Sequence, residues 1–233
     1  MAHNTETTKS PTAAPATSVD VTGEDIHWQQ DISYGSYLKL DELLACQAPL
    51  SDKHDEMLFV VIHQASELWM KCCIHEIGAA MEHVKADTLG PVFKMLSRVA
   101  RIQTNLKQSW EILSTMTPSD YAAFRDDLGQ SSGFQSFQYR EIEYRLGNKA
   151  ERMAEAHKAV PARYDRLQQV LDEPSFYDLC LQLLARRGFD IPAGVLDRDW
   201  RKPYVANKKV EAAWLAVYRD PEKYWALYEL AEK

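Results

Sequence analysis

The chain is predicted to be all-α, a helical bundle with long core helices. Three observations carry this. Apolar residues recur at three- and four-residue spacing through most of the chain after residue 40. Helix punctuation is strong: Thr117-Pro118 opens one segment and Gly147 closes another. No strand signal repeats, and there is no internal repeat. In order, residues 1–23 are rich in Thr, Ala, Pro and Ser, with almost no large apolar residue before Val19, and read as a disordered tail. Residues 24–233 read as a single α-helical domain. Its aromatic-rich entry, Ile32-Ser-Tyr34-Gly-Ser-Tyr37-Leu38, leads into a short helix over 40–45. A long helix is expected over 51–85; Met57, Leu58, Phe59, Val60, Val61 and Ile62 leave no polar stripe, so this part should be buried nearly all round. A second long helix, 88–116, carries Val92, Phe93, Leu96, Val99, Leu106, Trp110 and Leu113 at amphipathic spacing. Further helices are expected over 118–128, 137–146, 160–171, 175–187, 207–219 and 221–232. The segment 188–206, with Gly188, Pro192, Gly194 and Pro203, reads as a loop.

Composition narrows the function classes. At 233 residues, with 27 basic against 34 acidic side chains and a net charge of −7, nucleic acid and anionic membrane are poor partners. No uninterrupted apolar run reaches the roughly 18 residues of a membrane span, and the N-terminus has no signal-peptide apolar region. Cys46, Cys72, Cys73 and Cys180 form no C-x-x-C pair and read as reduced core or near-core thiols of a cytoplasmic protein.

The stretch 117–140 is the most informative. Thr117 stands at an N-cap, Pro118 at the first helical position and Asp120 at the third; Gly129 closes the segment. Tyr121, Phe124 and Arg125 stand at i, i+3 and i+4 and share a face. Two aromatics beside a guanidinium, followed by the Ser131-Ser132-Gly133 turn, can hold a small aromatic acid by ring and carboxylate, because the planar Arg fork bonds both oxygens. The plainer alternative pairs Arg125 with Asp126 or Asp127 and leaves the aromatics in the core. His63, after Phe59-Val-Val-Ile62, is either a core histidine bonded to a neighbouring group or a pocket residue beside Phe59 that bonds a ligand. H-E-x-x-H is absent and E-x-x-H occurs once, at Glu24 and His27, which alone is too little for a non-haem metal site. Gly129-Gln-Ser131-Ser-Gly133 spells G-x-S-x-G, but it joins two predicted helices where a nucleophile elbow needs a strand before its serine. The P-loop and the dinucleotide fingerprint are absent, so the metal, serine hydrolase and nucleotide readings fall away.

Longer motifs go further. Tyr34-Gly-Ser-Tyr37-Leu38, the run from His54 through Phe59 and His63 to Trp69, the 117–140 stretch, Leu146-Gly-Asn-Lys149 and Arg198-Asp-Trp200 together resemble the bacterial tryptophan 2,3-dioxygenase family, from about residue 26 onward. The resemblance implies a haem-dependent, dioxygenase-like helical fold. It implies haem b, and cleavage of the indole pyrrole ring of L-tryptophan by O2 to N-formyl-L-kynurenine, the first step of tryptophan degradation. It implies a cytoplasmic homotetramer with no nucleic-acid or membrane partner. By resemblance His63 bonds the indole N–H, Arg125 pairs with the substrate carboxylate with Tyr121 beside it, and Phe59 and Phe124 pack on the indole. Ser132 and Gly133 lie near the distal haem face and Trp110 at the haem edge. Tyr34, Tyr37 and Leu38 are lent by a neighbouring subunit.

The family's proximal haem histidine is expected beyond Lys233. None of His3, His27, His54, His63, His75, His83 and His157 stands in that motif. The domain therefore reads as incomplete at its C-terminus, and the chain as written is expected to bind haem weakly and to show little activity. Two alternatives stand beside this reading: a related haem oxygenase acting on another indole or phenol, and an inactive helical assembly module.

Overall fold

Local sequence signals set the helix ends. The computed structural model describes residues 33–233, together with the backbone of Ser18–Val21 and Glu24–His27. The described residues divide into two units, 1–48 and 49–233.

In the first unit, strands β1 (Ser18–Val21) and β2 (Glu24–His27) pair antiparallel, from Ser18 opposite His27 to Val21 opposite Glu24. This corrects the expectation of a disordered tail for 18–21. The β-branched residues Val19, Val21 and Ile26 favour strands, and Gly23 supplies a hairpin signal that the low-complexity reading overlooked. The remainder of that expectation, residues 1–17, lies outside the described residues. Two short helices follow, α1 (Tyr34–Leu38) and α2 (Leu40–Leu44). Ser33 and Ser36 cap α1 reciprocally. Cys46 is exposed, not near-core, and its thiol donates to the Glu42 carbonyl.

In the second unit, α3 (His54–Lys85) and α4 (Leu89–Leu113) form the central pair. The three-residue link between them forces a helical hairpin. Its corner residue Asp87 takes φ +58°, which Asp tolerates, and its carboxylate accepts both Nε–H and Nη2–H of Arg187. The rest of the chain supplies α5 (Pro118–Arg125), α6 (Phe137–Leu146), α7 (Pro161–Asp172), α8 (Phe176–Arg186), α9 (Ala193–Leu196), α10 (Lys208–Arg219) and α11 (Trp225–Glu232). The short α9 and a 3-10 segment over Glu151–His157 were not predicted. Neither were α1, which lies in the segment read only as an entry, and the 3-10 turn over Gly133–Gln135; the other helices fall close to the predicted spans.

The core gathers on the C-terminal half of α3. Cys73, Ile77, Ala80, Met81 and Val84 recur at three- and four-residue spacing and pack with Val92, Val99 and Ile102 of α4, Leu179, Leu183 and Leu184 of α8, Val217 of α10 and Leu227 of α11. A smaller cluster joins Tyr144 of α6 to Leu167, Val170 and Leu171 of α7. The N-terminal half of α3 departs from expectation. Ile62 is buried, but Met57 is 43% and Val61 44% exposed, so this part is not buried all round. Periodicity counts apolar residues on a helix; it does not supply elements to cover every face, and none of the elements of the second unit covers this one. By length and composition alone α3 would suffice to cross a membrane. It also carries Glu56 and Glu67, each held by the hydrogen bonds described next.

Buried charges staple the helices. Glu141 of α6 accepts from Arg145 on its own helix and Arg166 on α7. Asp178 of α8 receives Arg198 through two parallel bonds of 2.8 Å, tying down the 188–206 loop. The Lys149 ammonium donates to the carbonyls of Val170 and Glu173 and so caps the end of α7, while burial pulls its pKa down to about 8. Glu56 is buried at the start of α3, where its carboxylate accepts the backbone N–H of Leu50 and Ser51 and the Ser51 hydroxyl. Gln138 of α6 donates to both the carbonyl and the carboxylate of Glu67.

Candidate active site

The site is built from one turn of α3 and the whole of α5. Phe59 and His63 lie one turn apart on α3, their rings 4.2 Å apart between centroids. The short α5 is set by local chemistry. The Thr117 hydroxyl accepts the Asp120 N–H, the Asp120 carboxylate accepts the Thr117 N–H, and Pro118 fills the first turn where its missing N–H costs nothing. This confirms the predicted cap. The helix then sets Tyr121 and Phe124 against Phe59. The three rings form a closed triangle, with centroids 5.8 Å (Phe59–Tyr121), 5.7 Å (Phe59–Phe124) and 5.5 Å (Tyr121–Phe124) apart. Phe124 is fully buried and backs the wall, while Phe59 and Tyr121 stay half-exposed and present ring surface. Trp110 of α4 meets the His63 ring edge-on at 6.3 Å and is itself 60% exposed.

His63 is half-buried, not a core residue. Its Nδ1 lies 2.7 Å from the Phe59 carbonyl oxygen. A carbonyl can only accept, so Nδ1 carries the proton and Nε2 of the neutral ring is an acceptor. The backbone bond anticipated for a core histidine is thus compatible with ligand binding, because in the neutral ring it assigns the tautomer that can receive an N–H. Arg125 is half-buried and one turn from Tyr121. Its Nη1 donates to the Gly129 carbonyl at 2.8 Å, not to Asp126 or Asp127 as the plainer reading expected. Four of its five N–H groups stay available for an anion.

Ser132 and Gly133, the remaining predicted residues of the second unit, are not drawn into this cluster. Ser132 caps a 3-10 turn over Gly133–Gln135, its hydroxyl accepting the Phe134 N–H and its own N–H donating to Gln135. No hydrogen bond or ring contact among the described residues joins Ser132 or Gly133 to His63. A Cβ on Gly133 would meet nothing within 4 Å, so the chain there is open to close approach. Tyr34 and Tyr37, on α1 of the first unit, are 77% and 75% exposed, and Leu38 is exposed as well. Sequence reading missed Gly129, which it took only as a helix stop. It also missed the Glu67–Gln138 link one turn beyond His63. A signal existed for the first alone, in the spacing of four residues between Arg125 and a glycine.

A haem would need an axial nitrogen opposite His63. Along α3, His54 stands about 13 Å before His63, His75 about 18 Å after it and His83 about 30 Å after it, at the helical rise of 1.5 Å per residue. His157 is buried beside the smaller core cluster, near Arg140 and Arg163. The histidines of the second unit therefore supply no axial ligand for a haem bound beside His63. No group of three or more His, Cys, Asp or Glu among them is placed to hold a metal ion.

Fold and site define a class: an all-α protein in which an aromatic wall stands with the His63 imidazole and with Arg125, whose guanidinium is held by a neutral backbone carbonyl. Comparison with known proteins agrees. The family Tryptophan 2,3-dioxygenase matches residues 18–172. The tryptophan 2,3-dioxygenase of Bacillus thuringiensis (strain Al Hakam) is 55% identical over 206 residues, covering 88% of this chain and 74% of that protein. The tryptophan 2,3-dioxygenase of Cupriavidus necator is 54% identical over 211 residues, covering 91% and 72%. That of Burkholderia multivorans is 52% identical over 208 residues, covering 89% and 67%. The chain belongs to the tryptophan 2,3-dioxygenase family.

Proposed function

We propose that this site binds L-tryptophan and serves its oxidative ring cleavage by O2 to N-formyl-L-kynurenine. The observation that supports this best is the grouping of Phe59, Tyr121, Phe124, His63 and Arg125 on adjoining turns of α3 and α5. The Arg125 fork pairs with the carboxylate and fixes the amino acid end. Phe59 forms the apolar wall for the indole, with Phe124, fully buried, behind it and not on the indole directly as the resemblance implied, and Tyr121 borders the carboxylate. Nε2 of His63 accepts the indole N–H, which sets the ring's orientation and stabilises charge that develops on that nitrogen. The aromatic wall excludes water from the ring.

The cofactor in this reading is haem b, whose iron supplies O2 activation when bound. Trp110, Ser132 and Gly133 are assigned to its edge and distal face. The active assembly is a homotetramer in which Tyr34, Tyr37 and Leu38 of a neighbouring subunit border the substrate. The working compartment is the cytoplasm.

Calorimetric titration of L-tryptophan into the chain, then incubation with haem, a reductant and isotopically labelled O2, tests this. Arg125→Ala should weaken binding about ten- to a hundredfold, the worth of a charged hydrogen-bonded pair. Any ring-opened product, however little this chain forms, should carry both labelled atoms. Binding indifferent to Arg125, or a product without label, overturns the proposal.

A further inference from the structure

We infer that Gly129 is a positioning residue for the carboxylate clamp, an inference that rests on the tryptophan reading above. Arg125 is the last residue of α5, and its guanidinium is held at 2.8 Å by the Gly129 carbonyl. Between the two residues the chain coils through three tight turns, with Asp127 N–H on Phe124, Leu128 N–H on Arg125 and Gly129 N–H on Asp126. Gly129 then takes φ +55°, and this left-handed step accompanies the return of its carbonyl to the guanidinium.

The choice of partner matters. Asp126 and Asp127 follow Arg125 directly, and either carboxylate would compete with a substrate carboxylate for the fork. A backbone carbonyl is neutral. It takes one N–H and orients the group, while the positive charge and four N–H donors remain for the ligand. The backbone conformation at 129 therefore determines whether the fork is prearranged or must find its geometry on binding.

Space and conformation can be separated at this position. A Cβ at Gly129 would meet no atom within 4 Å, so alanine introduces no clash. It acts only through its reluctance to adopt positive φ, which asparagine tolerates better.

The test uses the full chain with Gly129→Ala and Gly129→Asn, titrated with L-tryptophan and with tryptamine, which lacks the carboxylate. Gly129→Ala should lower L-tryptophan affinity about tenfold and leave tryptamine affinity unchanged, with Gly129→Asn returning to within about threefold of the parent. Unchanged L-tryptophan affinity in Gly129→Ala, or an equal loss for tryptamine, overturns the inference. Exchange protection of the Arg125 guanidinium protons by NMR gives a readout that needs no ligand. If Arg125→Ala leaves L-tryptophan binding untouched, the tryptophan reading fails, and this signal decides the Gly129 hold alone. Protection lost in Gly129→Ala and restored in Gly129→Asn sustains that hold; unchanged protection sinks it.

Discussion

Two histidines in this chain are assigned opposite tasks by their partners. His63 gives its Nδ1 proton to the Phe59 carbonyl and keeps Nε2 as an acceptor, so its contribution to binding is one neutral hydrogen bond. That bond is worth about 0.5–1.5 kcal/mol. His63→Ala should therefore weaken L-tryptophan binding by about two- to tenfold, and should not weaken binding of 1-methyl-L-tryptophan, which has no indole N–H. Equal losses for both ligands, measured by calorimetry, would show that His63 acts through packing instead. The same logic leaves partial turnover in His63→Ala, whereas loss of an obligatory base costs about a hundred- to ten-thousandfold. His157 is the contrasting case. It is 4% exposed, its Nε2 has no hydrogen-bond partner among the described residues, and burial, followed by the charges of Arg163 and Arg140, lowers its pKa from the usual 6.5. The unfolded chain then binds the proton more tightly than the folded one. Its part of the stability is intact above pH 6.5 and falls as the pH drops from there toward the lowered folded value. Melting temperatures at pH 7 and pH 5.5 should differ, and the difference should shrink in His157→Gln. Glu56, Asp87 and Asp120 do not confuse this window. Hydrogen bonds from Ser51, Arg187 and Thr117 hold their pKa values below the ordinary carboxylate range, so their contribution is lost only at lower pH.

At the scale of the element, α5 and α6 show two ways of fixing a helix. The eight-residue α5 is too short to persist on its own and depends on its cap and on the rings of Tyr121 and Phe124. Thr117→Ala should cost about 1 kcal/mol, the usual worth of an N-cap. The helix α6 is fixed by charge. Glu141 is buried and serves both Arg145 and Arg166, so Glu141→Gln leaves a buried guanidinium without its counter-ion. Breaking a buried pair from one side costs about 3–5 kcal/mol, less here for the Arg166 arm, whose side chain is 37% exposed. Urea unfolding should rank Glu141→Gln well below Thr117→Ala in stability; equal midpoints would show that Glu141 is dispensable to the α6–α7 contact. These local devices explain which parts of the fold were readable. The limits of α6 were legible to the residue because Gly147, at φ +110°, stops it through its own backbone. The cap of α5 and the aromatic–Arg face were legible because their partners lie within four residues. The 3-10 segment ending in His157 was not legible, since its burial depends on α6 and α7. The hold of Gly129 on Arg125 was not legible either, because it needs the path of the turn and not merely its spacing.

The whole second unit is lopsided, and this predicts how copies of the chain behave. The core lies on the C-terminal half of α3, and the N-terminal half carries the site on one side and an uncovered apolar stripe on another. Met57, Val61, Leu68 and Trp69 recur at helical spacing and are each more than two-fifths exposed. Isolated apolar residues on a surface need no explanation, but four along one helix face favour contact with another apolar surface. The homotetramer proposed from family membership offers such a surface in a second copy, and isologous contacts reuse one patch on both partners. A single charge in the stripe tests this without touching Phe59, His63 or Arg125. Leu68→Glu should shift sedimentation toward the monomer, because burying an unpaired carboxylate in an interface costs several kcal/mol, and should weaken L-tryptophan binding as Tyr34, Tyr37 and Leu38 of the neighbouring subunit leave the site. Unchanged sedimentation would place the assembly contact elsewhere on the chain. A monomer that keeps full L-tryptophan affinity would mean that Tyr34, Tyr37 and Leu38 of the neighbouring subunit do not border the substrate.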